Sequence, residues 1–245
     1  MGGERRRADM VLVSRGLFES RARARAAIEA GLVSADGAAV RKPSDMIRDA
    51  AAIEAAAPHP YVSRGGVKLA AALDAFGIDP AGCDCLDVGA STGGFTDVLL
   101  RRGARHVIAL DVGREQLHAT IAADPRVTAL EATDIRRAEG LVAPGSIDLA
   151  TVDVSFISLD LVLPMLVSYL KDMSQLVVLI KPQFEVGRTG LGRGGIVRDD
   201  ALRDEAVARI VGRIGDLGFR VVGPIPSPIE GGDGNREFLA GAIRG

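Results

Sequence analysis

A chain of 245 residues with 47% apolar and 25% charged content has an ordinary globular composition, long enough for one large domain and a small one. The longest apolar candidate, Leu161 to Leu170, is broken by Pro164 and Ser168, which excludes a membrane-spanning helix; the amino end MGGERRRADM has no apolar signal core behind its basic residues, so a cytoplasmic protein is expected. A net charge of −2 hides an asymmetry, because residues 1–68 carry 12 Lys and Arg against 8 Asp and Glu, whereas residues 69–245 carry 18 against 24: a basic front on an acidic body suggests a polyanion partner for the front.

From Arg7, the apolar residues Met10, Leu12, Val13 and Leu17 fit a short amphipathic helix closed by Gly16. Ser20 caps a second helix, RARARAAIEA, with Ala24, Ala27 and Ile28 on its inner face and Gly31 past its end. Leu32 and Val33, an Asp36-Gly37 turn, then Ala39 and Val40 spell a β-hairpin. Arg21, Arg25, Arg41, Lys42 and Arg48 can share one side of so small an α+β unit and contact phosphates, although a solvated helix face would look the same. The helix-turn-helix-hairpin centred on ARAAIEAGLVSADGAAVRKPS resembles the small RNA-binding module of ribosomal protein S4. That resemblance implies an RNA partner.

Ala50 to Ala57 is alanine-rich and leads to Pro58-His59-Pro60, read as a stiff connection that ends an amino-terminal RNA-binding domain, 1–60, and opens a second domain, 61–245. Gly65-Gly66 begins a helix carrying Val67, Leu69, Ala70, Leu73 and Phe76 and stopping at Gly77. Lys68 falls in its first turn, where the helix dipole disfavours a cation. By position alone it is either a surface lysine or one retained for another purpose.

CLDVGASTGGFTDVLL, residues 85–100, reads as strand, tight turn and helix. Gly89, Gly93 and Gly94 let the backbone approach a bound molecule where a Cβ would intrude, and the helix that follows points free N–H groups at the same space. The spacing is neither G-x-G-x-x-G nor a phosphate-binding loop, so NAD and ATP lose ground. Asp87 places a carboxylate at the strand's carboxyl end, favourable beside a cation and not beside a pyrophosphate. The stretch resembles the first motif of S-adenosylmethionine-dependent methyltransferases, which makes Asp87, Gly89, Ala90, Ser91, Gly93, Gly94 and Phe95 candidate cofactor residues. Cys83 and Cys85, with the scattered His59, His106 and His118, suggest neither a disulfide framework nor a metal site.

The second strand, His106 to Leu110, ends at Asp111, placed to accept from ribose hydroxyls. After a third strand, Val127 to Leu130, Asp134 occupies a position from which such enzymes hold the adenine amino group; a plain loop aspartate fits equally. A fourth strand, Ile147 to Val152, leads into Asp153-Val154-Ser155-Phe156, a helix over Leu159 to Leu170 follows, and a fifth strand, Gln175 to Ile180, runs into Lys181. The loop from Gly187 to Gly195 offers Arg188 and Arg193 to phosphates. A helix from Asp200 to Leu217 and strands at Phe219 to Gly223 and Glu237 to Ile243 close the chain. Alternating strands and helices with a closing hairpin predict an α/β doubly wound, seven-stranded Rossmann-like sheet whose last strand is antiparallel.

Lys68, Asp153, Lys181 and Glu237 each fall at a strand tip or helix start, so all four can face the carboxyl-edge crevice, though singly each reads as half of a surface ion pair. Together they resemble the lysine–aspartate–lysine–glutamate set of FtsJ-type ribose 2′-O-methyltransferases. Within that group SRGGVKL, LDVGASTGGFTDVLL, DVSFISL, IKPQFEVG and GNREF are similar to the TlyA, or hemolysin A-like, rRNA methyltransferases over nearly the whole chain. The resemblance implies in-line methyl transfer from S-adenosylmethionine to a cytidine ribose hydroxyl in rRNA or a ribosomal subunit. Lys181 would be base or alkoxide stabiliser, Lys68 a second cation, Asp153 the orienter of Lys181, and Glu237 the partner of Lys68 or of the ribose. The chain's end eight residues after Glu237 suggests the large subunit, and a homo-oligomer is compatible with the sequence. The rival readings are a non-catalytic RNA-binding or ribosome-assembly factor and a membrane-active hemolysin, with an NAD oxidoreductase behind both.

Overall fold

The computed structural model describes residues 4 to 245, apart from the side chain of Arg188. The chain divides into two compact units, Met1–Pro60 and Tyr61–Gly245, each with its own apolar core.

In the first unit, α1 (Ala8–Ser14) and α2 (Arg21–Glu29) bury Val11, Leu12, Ala24, Ala27 and Ile28 against Val33 and Ala35. Ser20 Oγ accepts from the Arg23 backbone N–H, filling one of the orphan donors at the start of α2. Strands β2 (Val33–Ala35) and β3 (Ala38–Ala39) form the expected hairpin, with Asp36 and Gly37 both at positive φ, 52° and 77°, as a mirror-image two-residue turn requires. Two short strands, β1 (Arg5–Arg7) and β4 (Met46–Arg48), pair antiparallel. The alanine-rich stretch departs from expectation: its Ile53–Ala55 is strand β5, paired antiparallel with β2, so the connection begins later than composition suggests. An edge of β2 left by the hairpin gave those backbone groups partners, and β-propensity yields to such pairing.

The second unit is a seven-stranded sheet between two helical layers. Its elements are α3 (Gly65–Phe76), β6 (Asp84–Val88), α4 (Gly94–Arg101), β7 (His106–Leu110), α5 (Ala119–Ala122), β8 (Val127–Leu130), β9 (Ile147–Val152), α6 (Leu159–Leu166), β10 (Leu170–Ile180), α7 (Asp200–Asp216), β11 (Arg220–Pro226) and β12 (Phe238–Arg244). The strand order is β11-β12-β10-β9-β6-β7-β8, and β12 runs antiparallel to both neighbours. One core lies under α6 and α7 and contains Leu159, Leu163, Ile210 and Ile214; the other lies under α3 and α4 and contains Leu69, Leu73, Val98 and Leu99. Buried on both faces, the parallel strands need continuous apolar runs such as Leu176 to Ile180.

Helix α6 ends at Leu166, short of the expected Leu170, because its interior Pro164 removes a backbone donor and Leu170 already pairs with Ile147. The chain leaves β6 toward β7 on one side and finds β9 on the other, at Val88 beside Leu110 and Val152. The carboxyl ends of β6 and β9 therefore flank the crevice where open α/β sheets bind ligands.

Candidate active site

The loop after β6 holds Gly89 at φ 85° and Gly93 at φ 89°, with Ser91 also in the left-handed region at 46°. The glycines are required by the protein's own packing, and Gly89 also lines the clefts described below. A Cβ on Gly89 would lie 2.3 Å from the Asp153 carbonyl oxygen, one on Gly93 would lie 2.9 Å from Leu117 Cδ1, and one on Gly94 would lie 2.1 Å from Ser63 Oγ. Absence of side chains lets β6, β9 and the segment entering α3 close on one another, and their proximity makes the site. Ala90 and Phe95 are buried beneath the loop.

Beside it opens a cleft of about 400 Å³ lined by Gly89, Ser91, Asp111, Asp134, Asp153 and Phe156 over apolar walls that include Leu110, Val112, Ile135 and Val162. Three aspartates and no lysine or arginine line it, which suits a cation and opposes a pyrophosphate. Asp111 accepts from Ser91 N–H at 2.8 Å and from Gly113 N–H at 2.6 Å, locking the two loops that form the rim. Asp134 is held by Arg136, whose side-chain hydrogen bond keeps its carboxyl below the usual carboxylate range. Asp87 does not line the cleft: it is fully buried and accepts from Thr96 Oγ1 at 2.7 Å and Thr151 Oγ1 at 3.0 Å, and burial pushes its pKa up to about 7.

A smaller cleft of about 120 Å³, lined by Ser63, Gly65, Lys68, Gly89, Ser91 and Asp153, brings distant parts of the chain together. Lys68, 8% exposed in the first turn of α3, is no surface lysine; its Nζ donates to Oε2 of Glu237, 4% exposed and adjoining β12. The Glu237 carboxylate offsets the unfavourable dipole position of Lys68. Lys181, at the end of β10, places Nζ 2.6 Å from Asp153 Oδ1 in an ion pair off hydrogen-bonding angles, and donates to Ser155 Oγ at 2.8 Å. Each of these two ammonium–carboxylate pairs thus contributes one residue, Lys68 or Asp153, to the cleft beside the glycine loop.

Residues 61–244 match the model of the FtsJ-like methyltransferases, and residues 6–53 match the S4 domain. The chain belongs to the FtsJ-like methyltransferase family. It is 46% identical to the Mycobacterium tuberculosis 16S/23S rRNA (cytidine-2′-O)-methyltransferase TlyA over 96% of this chain and 88% of that one. Hemolysin A of Brachyspira hyodysenteriae is 42% identical over 96% of this chain and 98% of that one. A solved structure of a hemolysin candidate from Streptococcus thermophilus superimposes with a TM-score of 0.75 at 41% identity, covering 98% of this chain and 88% of that one.

The S4 domain of this FtsJ-like chain does not leave its cations equally available. Arg25 pairs with Glu29 at 2.7 Å and Arg48 with Asp36 at 2.9 Å, each cancelling its charge locally. Arg21 pairs with Asp9 at 2.7 Å, but Arg7 shares that carboxylate at 3.0 Å, and the pair retains a net positive charge; the two guanidiniums, Arg7's first, hold the buried Asp9 carboxyl at a pKa of about 2. Arg41 and Lys42 are exposed, and their backbone N–H groups bind Asp45. Arg193 is exposed on the loop that Asn235 pins through Val197 N–H and Gly195 C=O; the side chain of Arg188, a candidate for the same role, lies outside the described residues. Two further residues stand out only in the structure: Arg7, through its contact with Asp9, and Phe156. Phe156 is 91% exposed at φ 64° on the cleft rim, its ring 5.1 Å from Phe184. A bulky residue kept strained and exposed is the signal that finds it.

Proposed function

We propose that this chain transfers a methyl group from S-adenosylmethionine to the ribose 2′-hydroxyl of a cytidine in rRNA. The observation that carries this reading is the placing of Lys68–Glu237 and Lys181–Asp153 around the glycine loop, with Lys68 and Asp153 lining one cleft. The larger cleft fits the cofactor: its volume suits a nucleoside, its apolar walls a purine, Asp111 the ribose hydroxyls, and its carboxylates the ammonium and sulfonium. When bound, the cofactor supplies an electrophilic methyl on a sulfonium.

The protein's task is to position and deprotonate an alcohol. Lys181 Nζ, oriented by Asp153 and Ser155, takes the proton from the ribose oxygen or holds the alkoxide as it forms. Lys68, fixed by Glu237, adds positive charge beside the same oxygen. Phe156 offers an exposed ring to a base at the rim, and the S4 domain's Arg7, Arg21, Arg41 and Lys42 offer contacts to the phosphate backbone. Among the described residues no helix is long and apolar enough to cross a membrane. A cytoplasmic enzyme acting on large-subunit rRNA is the working assignment, to be tested by mapping ribose methylation in both rRNAs with and without the protein.

Lys181→Ala should lower methyl transfer by about 10²–10⁴-fold, the range for a lost proton-transfer group. Its cofactor dissociation constant should stay within about twofold of wild type. Tritiated-methyl transfer to rRNA and titration calorimetry measure the two, and retained turnover removes Lys181 from the mechanism.

A further inference from the structure

The side chain of Glu185 is 1% exposed, yet it lines neither cleft and contacts none of the four residues at the crevice. It lies four residues after Lys181, behind the short turn Pro182–Phe184, and it reaches across to the loop that follows β9. Its Oε2 accepts from Ser158 Oγ at 2.7 Å and its Oε1 from Leu159 N–H at 2.9 Å. Ser158 is the N-cap of α6, so the start of that helix is closed by a carboxylate from another loop. From α7, Arg209 donates to the Glu185 carboxylate at 3.0 Å and to its backbone carbonyl at 3.1 Å, and also pairs with Asp160 in the first turn of α6.

We propose that Glu185 is a positioning residue for methyl transfer, the strut that sets the Lys181 loop against the Asp153–Ser158 loop. The proposal rests on the catalytic reading above. Between these loops, beyond the strut, the described contacts are the ones the chemistry uses, Lys181 with Asp153 and Ser155, together with the Phe156–Phe184 ring pair. Without the strut, only the Phe156–Phe184 ring pair among the described contacts would share with Lys181 the holding of one loop against the other, and the lysine must also react. The strut relieves Lys181 of that structural duty, and a displacement of about 1 Å at such a group can cost on the order of a hundredfold in rate.

Glu185→Gln is the test, because it keeps the volume but replaces one acceptor oxygen with a donor facing groups that themselves donate. In the full-length protein kcat should fall about 10- to 100-fold, while KM for rRNA, the cofactor dissociation constant and the calorimetric stoichiometry stay within about twofold. Ser158→Ala, which removes one strand of the tie, should shift kcat the same way by a smaller factor. Hydrogen–deuterium exchange supplies a readout that needs no turnover: residues 153–159 and 181–186 should loosen together, with the 89–95 loop unchanged. A kcat within twofold of wild type, a loss that only tracks the cofactor-binding fraction, or unaltered exchange at either loop overturns the proposal. Wild-type protein inactive on rRNA would instead overturn the catalytic reading, and the exchange result would still decide whether the strut exists.

Discussion

Asp87 stands at the carboxyl end of β6 with its carboxylate enclosed by Thr96 and Thr151, and burial raises its pKa to about 7. Below pH 4 the folded and unfolded chains both carry the proton. Between about 4 and 7 the unfolded chain releases it while the folded chain keeps it, so the contribution of this group to stability is lost as pH rises through the folded pKa. Asp87→Asn, which cannot ionise, removes that penalty. In cofactor-free protein the variant should gain on wild type between pH 5 and pH 8 by up to a few kcal/mol, about 1.4 kcal/mol for each pH unit between 5 and the native pKa. Urea denaturation at the two pH values measures it, and a difference that does not grow with pH would place the carboxyl's titration elsewhere. Position along the strand identified Asp87 as an acid near a cofactor; its two threonine partners, 9 and 64 residues away, were beyond local pattern.

At the scale of elements, periodicity and turn chemistry placed α2, α3, α7, the hairpin and the parallel strands β6, β7, β8 and β9 close to their observed bounds, because these follow the local rules of caps, glycine stops and apolar runs; β10 starts at Leu170, five residues before the apolar run that announced it. What escaped was pairing between distant short segments: β1 with β4, and β5 with β2, three residues each. The four crevice residues come from segments as much as 169 residues apart, so only family resemblance, not spacing, could group them. Glu185 and Phe156 lie within the motifs IKPQFEVG and DVSFISL, but nothing local in those motifs sets them apart from their neighbours. The S4 arginines show the same limit, since a helix face predicts exposure but not which charges are already cancelled. Arg7 and Arg21 share the one carboxylate of Asp9, whereas Arg25 has Glu29 to itself. Arg21→Ala should therefore weaken rRNA binding and reduce the slope of log K against log salt by about one, as expected for one lost phosphate contact; Arg25→Ala should change the slope by clearly less. Filter binding across a salt series measures both, and equal effects would show that the Glu29 pair opens on RNA.

For the whole molecule, the segregation of cores matters most. Among the described residues, every member of one buried cluster lies before Pro60 and every member of the other two lies after it, so each unit has an apolar core of its own. Its charge does not favour RNA: residues 61–245 carry 20 Lys and Arg against 24 Asp and Glu. A protein comprising residues 61–245 should accordingly keep the cofactor affinity of the full chain, since the cleft residues Gly89 to Val162 all belong to it. It should lose most of its rRNA affinity at physiological salt. If Arg7, Arg21, Arg41 and Lys42 are the phosphate contacts, the salt slope should shrink by about three, near 0.7–0.9 for each contact removed. Because a general long-range attraction would also be lost, the slope is the sharper measure: an unchanged slope in the truncated protein would move RNA recognition to the sheet unit, with Arg193 and its loop the first place to look.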